Sequence, residues 1–134
     1  GNDWNNTWPT DTQFTVNGNS TNRSGAKHQA ILFASCPGVS YIGAYTGTGS
    51  AVTVNVPTFT TGVRAVILFG ISGFSRWPVF TTATGNTAIY MSSYSNPGES
   101  SSTTNVFSGN SFTVTPESGS VSNGFVYGYL AIAN

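Results

Sequence analysis

The stretch Val52-Thr-Val-Asn-Val56 alternates apolar and polar side chains at every step. A period of two is typical of a β-strand with one buried face and one solvated face. The stretch Phe112-Thr-Val-Thr115 has the same alternation. Arg64–Ile71 is an almost unbroken apolar run, as found in central strands that are covered on both faces. These three stretches predict an all-β fold.

Other strand-like stretches lie between short turns that contain Gly, Pro or Asn. They cover residues 27–34, 39–45, 77–82, 88–91 and 125–133. Gly, Ser, Thr and Asn interrupt every window that could form a helix. About eight strands at this spacing predict an antiparallel sandwich or a small barrel, with essentially no helix.

The beginning of the chain differs in composition from the rest. Asn, Thr, Ser and Gly dominate it, and it carries Trp4 and Trp8. We expect residues 1–25 to be a polar N-terminal arm or connector and residues 26–134 to be the sandwich domain. Because the chain begins at Gly1 rather than Met, we expect a processed subunit or a fragment of a longer fibre.

Three Asn-x-Ser/Thr sequons lie in this polar beginning, at Asn5, Asn19 and Asn22. Chance readily produces such sequons in a segment so rich in these residue types. Glycosylation would need a secretory host that the sequence does not identify.

The chain has very little charge. Only 6% of its residues are charged, and four basic and four acidic residues give a formal net charge of zero. The basic residues are scattered, at Arg23, Lys27, Arg64 and Arg76. Nucleic-acid binding would need a basic stripe along the phosphates, and membrane insertion an apolar run of about 20 residues. We therefore expect neither partner.

Few side chains are available for catalysis or metal binding. His28 and Cys36 are the only residues of their types. The four carboxylates lie in predicted arm or loop segments, at Asp3, Asp11, Glu99 and Glu117. Paired carboxylates, nucleophile–base pairs and metal clusters all need several such groups together. We therefore expect no enzymatic activity, no cofactor and no metal, and we expect Cys36 to be a buried small side chain in its apolar run.

Aromatic and amide side chains near glycine turns are candidates for ligand contact. Sugars stack on Trp or Tyr rings while Asn and Arg bind their hydroxyl groups. The residues with these properties are Arg76, Trp77, Asn86, Tyr90 and Tyr94. Taken singly, Trp77 and Tyr90 fit a core or subunit-interface position better, so both interpretations stay open.

Two segments resemble phage tail-fibre and appendage tip domains. In Tyr45–Phe69 a Gly-rich turn is followed by an alternating strand, then by a short segment that contains Phe and Gly, and then by an apolar strand. Gly109-Asn-Ser-Phe-Thr-Val114 followed by Tyr127-Gly-Tyr-Leu-Ala-Ile-Ala133 resembles the closing hairpin of the same domains, and a related pattern closes H-type lectin-like sandwiches. The resemblance covers about two-thirds of the chain, from Ala44 onward. It implies a small β-sandwich, jelly-roll-like or H-type lectin-like, that is usually trimeric and contacts a host surface from the virion.

The leading functional prediction is a virion-displayed adhesin or receptor-binding domain. Its expected partners are a host surface glycan or protein, other virion proteins and its own copies, in a trimer to which Trp4 and Trp8 contribute contacts. One alternative is a structural virion decoration or fibre-forming subunit with no ligand. Another is a free secreted carbohydrate-binding lectin.

Overall fold

The structure, a computed structural model, describes residues 10, 12–16, 24–27, 30–71, 78–84, 88–90, 99–100, 106–116 and 120–134. Four of these are described by their backbone alone: Ala88, Tyr90, Glu99 and Ser100. The chain divides into two units, Gly1–Leu32 and Phe33–Asn134. The strands named below all belong to the second unit.

Nine β-strands, and no α-helix, lie in the part of the chain that the structure describes. They are β1 (Ser40–Thr46), β2 (Val52–Asn55), β3 (Val63–Gly70), β4 (Pro78–Thr81), β5 (Ala88–Tyr90), β6 (Glu99–Ser100), β7 (Val106–Ser108), β8 (Ser111–Val114) and β9 (Val126–Ala133). They form a six-stranded sheet in the order β1-β9-β3-β4-β5-β6 and a three-stranded sheet in the order β2-β8-β7. Every pairing is antiparallel. The predicted all-β sandwich is confirmed.

The three-stranded sheet follows the alternation that the sequence predicts. Val54 pairs with Phe112, and both side chains are buried in the core with Val114. On the opposite face the hydroxyl groups of Thr53 and Thr113 form a hydrogen bond of 2.9 Å. Because side chains alternate between the two faces of a strand, the apolar residues of β2 and β8 face the core and the intervening threonines face the opposite side.

Strand β3 occupies the central position that its apolar run predicts, between β9 and β4. Val66 and Leu68 point into the core and are fully buried. The intervening Ile67 and Phe69 lie on the outer face of the six-stranded sheet and are half-buried. The Phe69 ring covers Gly128 of β9, where a Cβ atom would lie 2.6 Å from the Phe69 Cζ. Glycine at this position therefore leaves room for the ring.

The outer face of the six-stranded sheet carries a row of aliphatic side chains across five strands. The strand registers place them side by side in the order Ile42, Leu130, Ile67, Val79 and Ile89. The two members at the ends of the row are the most exposed, with 36% of Ile42 and 39% of Ile89 accessible to solvent. We call this set the outer row.

The strand predicted at residues 27–34 is wrong for the described residues of that range, none of which lies in a strand. The chain reverses direction between Cys36 and Ser40, where Gly38 has a φ of 73°. Cys36 and Ser40 form a single antiparallel bridge. Next to it, the Ile42 N–H donates to the Ser35 Oγ at 3.0 Å instead of to a backbone carbonyl. The side-chain acceptor replaces the next ladder hydrogen bond, so the pairing ends there.

Cys36 is exposed, so the prediction of a buried cysteine is wrong. Its backbone N–H and C=O both bond to Ser40, in the turn that precedes β1. A turn at the edge of a sheet has no second layer to cover its side chains. Cys36 is therefore exposed even though an apolar run precedes it.

Candidate binding surface

Strand directions divide the sandwich into two ends. β3 and β5 run toward the end where β4, β6 and β9 begin, as the pairs Gly70–Tyr127 and Pro78–Tyr90 show. We call this the loop end. Residues 72–77 stand between β3 and β4 in the sequence and residues 91–98 between β5 and β6, and both segments lie outside the described residues.

The opposite end, which we call the base, holds the turn before β1 and the end of β9. The Ala133 N–H donates to the Val39 C=O at 2.9 Å, so β9 ends beside the turn that precedes β1. The Asn134 N–H donates to the Gly62 C=O at 2.9 Å, and the Thr61 hydroxyl donates to the Asn134 C=O at 2.9 Å. These hydrogen bonds join β9 to the turns before β1 and β3 at the base.

Two large apolar side chains are exposed at the loop end. Ile71 follows β3 and is 56% exposed, and Phe125 precedes β9 and is 42% exposed. The Ile71 N–H donates to the Val126 C=O at 3.0 Å, which places Ile71 opposite the neighbour of Phe125. Exposed apolar side chains beside polar loops are common at binding sites. The sequence analysis missed both residues. Phe125 directly follows the Asn123-Gly124 turn, so no alternating pattern in the sequence predicts that its side chain is buried.

A group of tyrosines holds the segment that presents Phe125. The rings of Tyr45 and Tyr127 stack with centroids 5.4 Å apart. The Tyr45 hydroxyl donates to the Ser120 C=O at 2.8 Å, and the Ser122 N–H donates to the Tyr127 hydroxyl oxygen at 3.1 Å. Burial raises the pKa of the Tyr45 hydroxyl well above its usual 10.0, and Tyr127 adds to the rise. The Tyr45 hydroxyl therefore stays protonated, and both hydroxyl groups serve as structural supports through their hydrogen bonds.

Two glycines complete this support. The Gly47 N–H donates to the Phe125 C=O at 2.8 Å, and the Gly124 N–H donates to the Gly47 C=O at 2.9 Å. A Cβ atom on Gly47 would lie 2.6 Å from the Val121 carbonyl carbon, so no larger residue fits. Gly124 has a φ of 78°, a conformation that favours glycine. The backbone on both sides of Phe125 is thus closely constrained.

Most of the predicted site residues lie outside the described residues. Those are Arg76, Trp77, Asn86 and Tyr94, together with Trp4 and Trp8 of the predicted arm and the three sequons at Asn5, Asn19 and Asn22. Tyr90 ends β5, and only its backbone is described.

In the sequence, Trp77 directly precedes Pro78, which begins β4 at the loop end and pairs with Tyr90, the last residue of β5. Asn86 stands in the sequence between the end of β4 and the start of β5, and both of these strand ends lie toward the base.

The described residues include no group of three or more His, Cys, Asp or Glu side chains that could hold a metal ion. In the same part of the chain, no helix has the length and apolar character to cross a membrane.

A family model described as a domain of unknown function, DUF7483, matches residues 1–134, and the chain belongs to that family. No curated protein and no solved structure matches the chain.

Proposed function

We propose that the sandwich of this DUF7483-family chain is a virion-displayed adhesin, a receptor-binding domain whose loop end recognises a glycan or a protein on the host surface. The observation that carries the proposal is the exposure of Ile71 and Phe125 at the loop end, where β3 and β5 end. In the sequence, residues 72–77 and 91–98, which carry polar and aromatic side chains, follow those two strands. Loops held on a rigid scaffold commonly carry binding function.

The loop end is separate from the base, where Val39 and Ala133 share a hydrogen bond. The resemblance of Tyr45–Phe69 to phage tail-fibre tips supports placement on a virion.

The chemistry of the loop end favours a neutral ligand. Tryptophan and tyrosine rings stack on sugar faces or apolar side chains, and Asn, Ser and Thr side chains bind hydroxyl groups. The two loops contain one basic residue, Arg76, and no acidic residue. Binding should therefore depend little on salt concentration, unlike an interface built on ion pairs.

The test measures binding of the 134-residue chain to a glycan array and to a panel of bacterial cells, beside three single variants. Trp77→Ala and Tyr94→Ala should each weaken binding, by about 30-fold if the ring is a hot spot. Asn86→Ala is the matched control because Asn86 stands in the sequence between the end of β4 and the start of β5, which both lie toward the base. Each variant is first checked for an unchanged thermal unfolding midpoint.

The outcomes separate the functional classes. Retained binding in both aromatic variants, or an equal loss in Asn86→Ala, would place the site away from the loop end. A chain that binds no glycan and no cell, yet forms stable oligomers, would be a structural or fibre-forming subunit. The outer row favours that second candidate, because an uncharged apolar surface suits contact between copies.

A further inference from the structure

Strand β1 has the least protected edge among the described strands. It lies at one side of the six-stranded sheet, is seven residues long, and contains neither a charged residue nor a proline. The strand at the other side, β6, has two residues, one of which is Glu99. The outer strands of the second sheet, β2 and β7, have four and three residues. Natural proteins protect sheet edges by shortness, charge or proline, and β1 has none of these protections.

The hydrogen bonds of β1 show which of its backbone groups face away from β9. The N–H groups of Ser40 and Ile42 donate to residues that precede the strand. Because the direction of these groups alternates along a strand, the N–H and C=O groups of Ala44 and Thr46 also point away from β9. Neither residue has a hydrogen-bond partner on that side in the described part of the chain, and both are exposed. This part of the edge is therefore open to another strand.

A short segment before β1 is apolar and exposed. Residues 30–34 read Ala-Ile-Leu-Phe-Ala and contain no charge and no proline. Ile31 is 72% exposed, Leu32 is 75% exposed and Phe33 is 57% exposed. None of residues 30–33 lies in a strand or makes a hydrogen bond in the described structure. Single exposed apolar residues are common, but three large ones in succession mark a surface that another element covers.

The start of β1 does not continue into a hairpin with the residues before it. A hairpin would pair the Ala34 C=O with the Ile42 N–H at its next rung. Each of these two groups bonds to a serine hydroxyl instead. The Ser40 Oγ donates to the Ala34 C=O at 2.9 Å. The Ile42 N–H donates to the Ser35 Oγ at 3.0 Å, so the ladder stops and the rest of the edge stays open.

The open edge and the exposed segment fit each other in side-chain size. Gly43 has no side chain, and the Tyr129 ring lies where a Cβ atom would be 2.6 Å from the Tyr129 Cζ. An antiparallel strand with Leu32 opposite Ala44 places Phe33 opposite Gly43, beside that ring. A large side chain then meets a small one at both positions. Neither element carries a charge that would oppose the contact.

We infer that residues 30–33 of one copy add to Gly43–Thr46 of a second copy, as a seventh, antiparallel strand of its six-stranded sheet. The added strand satisfies the open N–H and C=O groups of Ala44 and Thr46 and covers the exposed apolar segment. A second copy is the occupant because the same chain carries both halves of the contact, and its own ladder stops before they meet. The contact uses the edge of β1 and none of the side chains proposed to bind a ligand, so either proposal can fail alone.

Cysteine pairs test this contact between chains. In a Cys36→Ser background, one chain carries Leu32→Cys and another carries Ala44→Cys, and the two variants are mixed under mild oxidation. Residues opposite each other at a hydrogen-bonded rung have Cα atoms about 5.5 Å apart, which suits a disulfide. In the control mixture Thr53→Cys replaces Ala44→Cys, since Thr53 is equally exposed but lies in the other sheet.

The test mixture should form at least about 10-fold more disulfide-linked heterodimer than the control, because cysteines with Cα atoms more than about 7 Å apart cannot be bridged without backbone movement. Equal yields in the two mixtures would overturn the inference. A single chain with both Leu32→Cys and Ala44→Cys tests the other occupant. If it closes its disulfide internally and the mixtures yield no heterodimer, the segment pairs with its own β1 and the inference is wrong.

Hydrogen exchange provides a second measurement that needs no cysteine. The Ala44 amide should exchange at least about 10-fold more slowly in a millimolar solution than in a dilute one, because the added strand protects it. Leu32→Lys should abolish this concentration dependence by placing a charge in the contact, and Thr53→Lys should preserve it. Exchange at Ala44 that does not depend on concentration in the original chain would contradict the inference.

Discussion

Replacing Tyr45 by phenylalanine tests the support beneath the loop end. The variant keeps the ring, which stacks on Tyr127, and removes only the hydroxyl group that donates to the Ser120 C=O at 2.8 Å. Ser120 is fully buried, so water cannot replace the lost donor. Removing a hydrogen bond to a buried carbonyl lowers the free energy of unfolding by about 1–3 kcal/mol.

A loss near the middle of this range, about 2 kcal/mol, has a large effect in a domain of this size. For a domain of about 100 residues it lowers the thermal unfolding midpoint by roughly 8–16 °C. In urea the midpoint concentration should fall while the dependence of the unfolding free energy on urea stays unchanged, since the surface exposed on unfolding is the same. The amide of Gly49, which donates to the Val121 C=O, should also exchange faster because residues 120–122 are less constrained.

Tyr41→Phe is the matched control. Tyr41 lies on the same face of β1 and stacks on Tyr129 at 6.2 Å, but its hydroxyl group makes no hydrogen bond within the described structure. Its removal should change the free energy of unfolding by no more than about 0.5 kcal/mol. Equal losses in the two variants would refute the reasoning, because the buried hydrogen bond would then contribute nothing of its own.

Two further predictions follow from the tyrosines and the outer row. Burial raises the folded-state pKa of the Tyr45 hydroxyl above its usual 10.0, so its full contribution to the free energy of unfolding is present below about pH 10. As the pH rises further, this contribution falls by up to about 1.4 kcal/mol per pH unit. The difference in unfolding free energy between the original chain and Tyr45→Phe should therefore narrow between pH 9 and pH 11, and a constant difference would contradict the burial of the hydroxyl. If copies associate through the outer row, light scattering should show a trimer that Ile42→Glu and Ile89→Glu dissociate, while Thr53→Glu on the polar face of the three-stranded sheet leaves it intact. A stable monomer at micromolar concentration would rule this out.

The sequence contained most of the information about the class of fold. Alternation in Val52–Val56 and Phe112–Thr115 depends only on the period of the pleat, which is a local property of the chain. The apolar run Arg64–Ile71 indicated a central strand covered on both faces; β3 is central in the sheet, but only its inner face is fully buried. A long stretch without alternation carried no such information, and the apolar run before Cys36 was wrongly assigned as a strand.

The candidate binding surface depended on the order and direction of strands, which composition does not encode. The sequence identified Trp77 and Tyr94 by side-chain type, whereas the pairing of Pro78 with Tyr90, which sets the start of β4 beside the end of β5, is a property of the folded sheet. Phe125 and Ile71 were missed because hydrophobic character alone does not distinguish a core residue from an exposed one.

Two apolar side chains show the same division most directly. Leu130 is 4% exposed because β1 and β3 flank β9 on both sides, whereas Ile31 is 72% exposed. Both residues are equally hydrophobic in the sequence, so their burial depends on strands that are distant in the chain. The alternation is a local property of the chain, whereas burial depends on what the chain packs against.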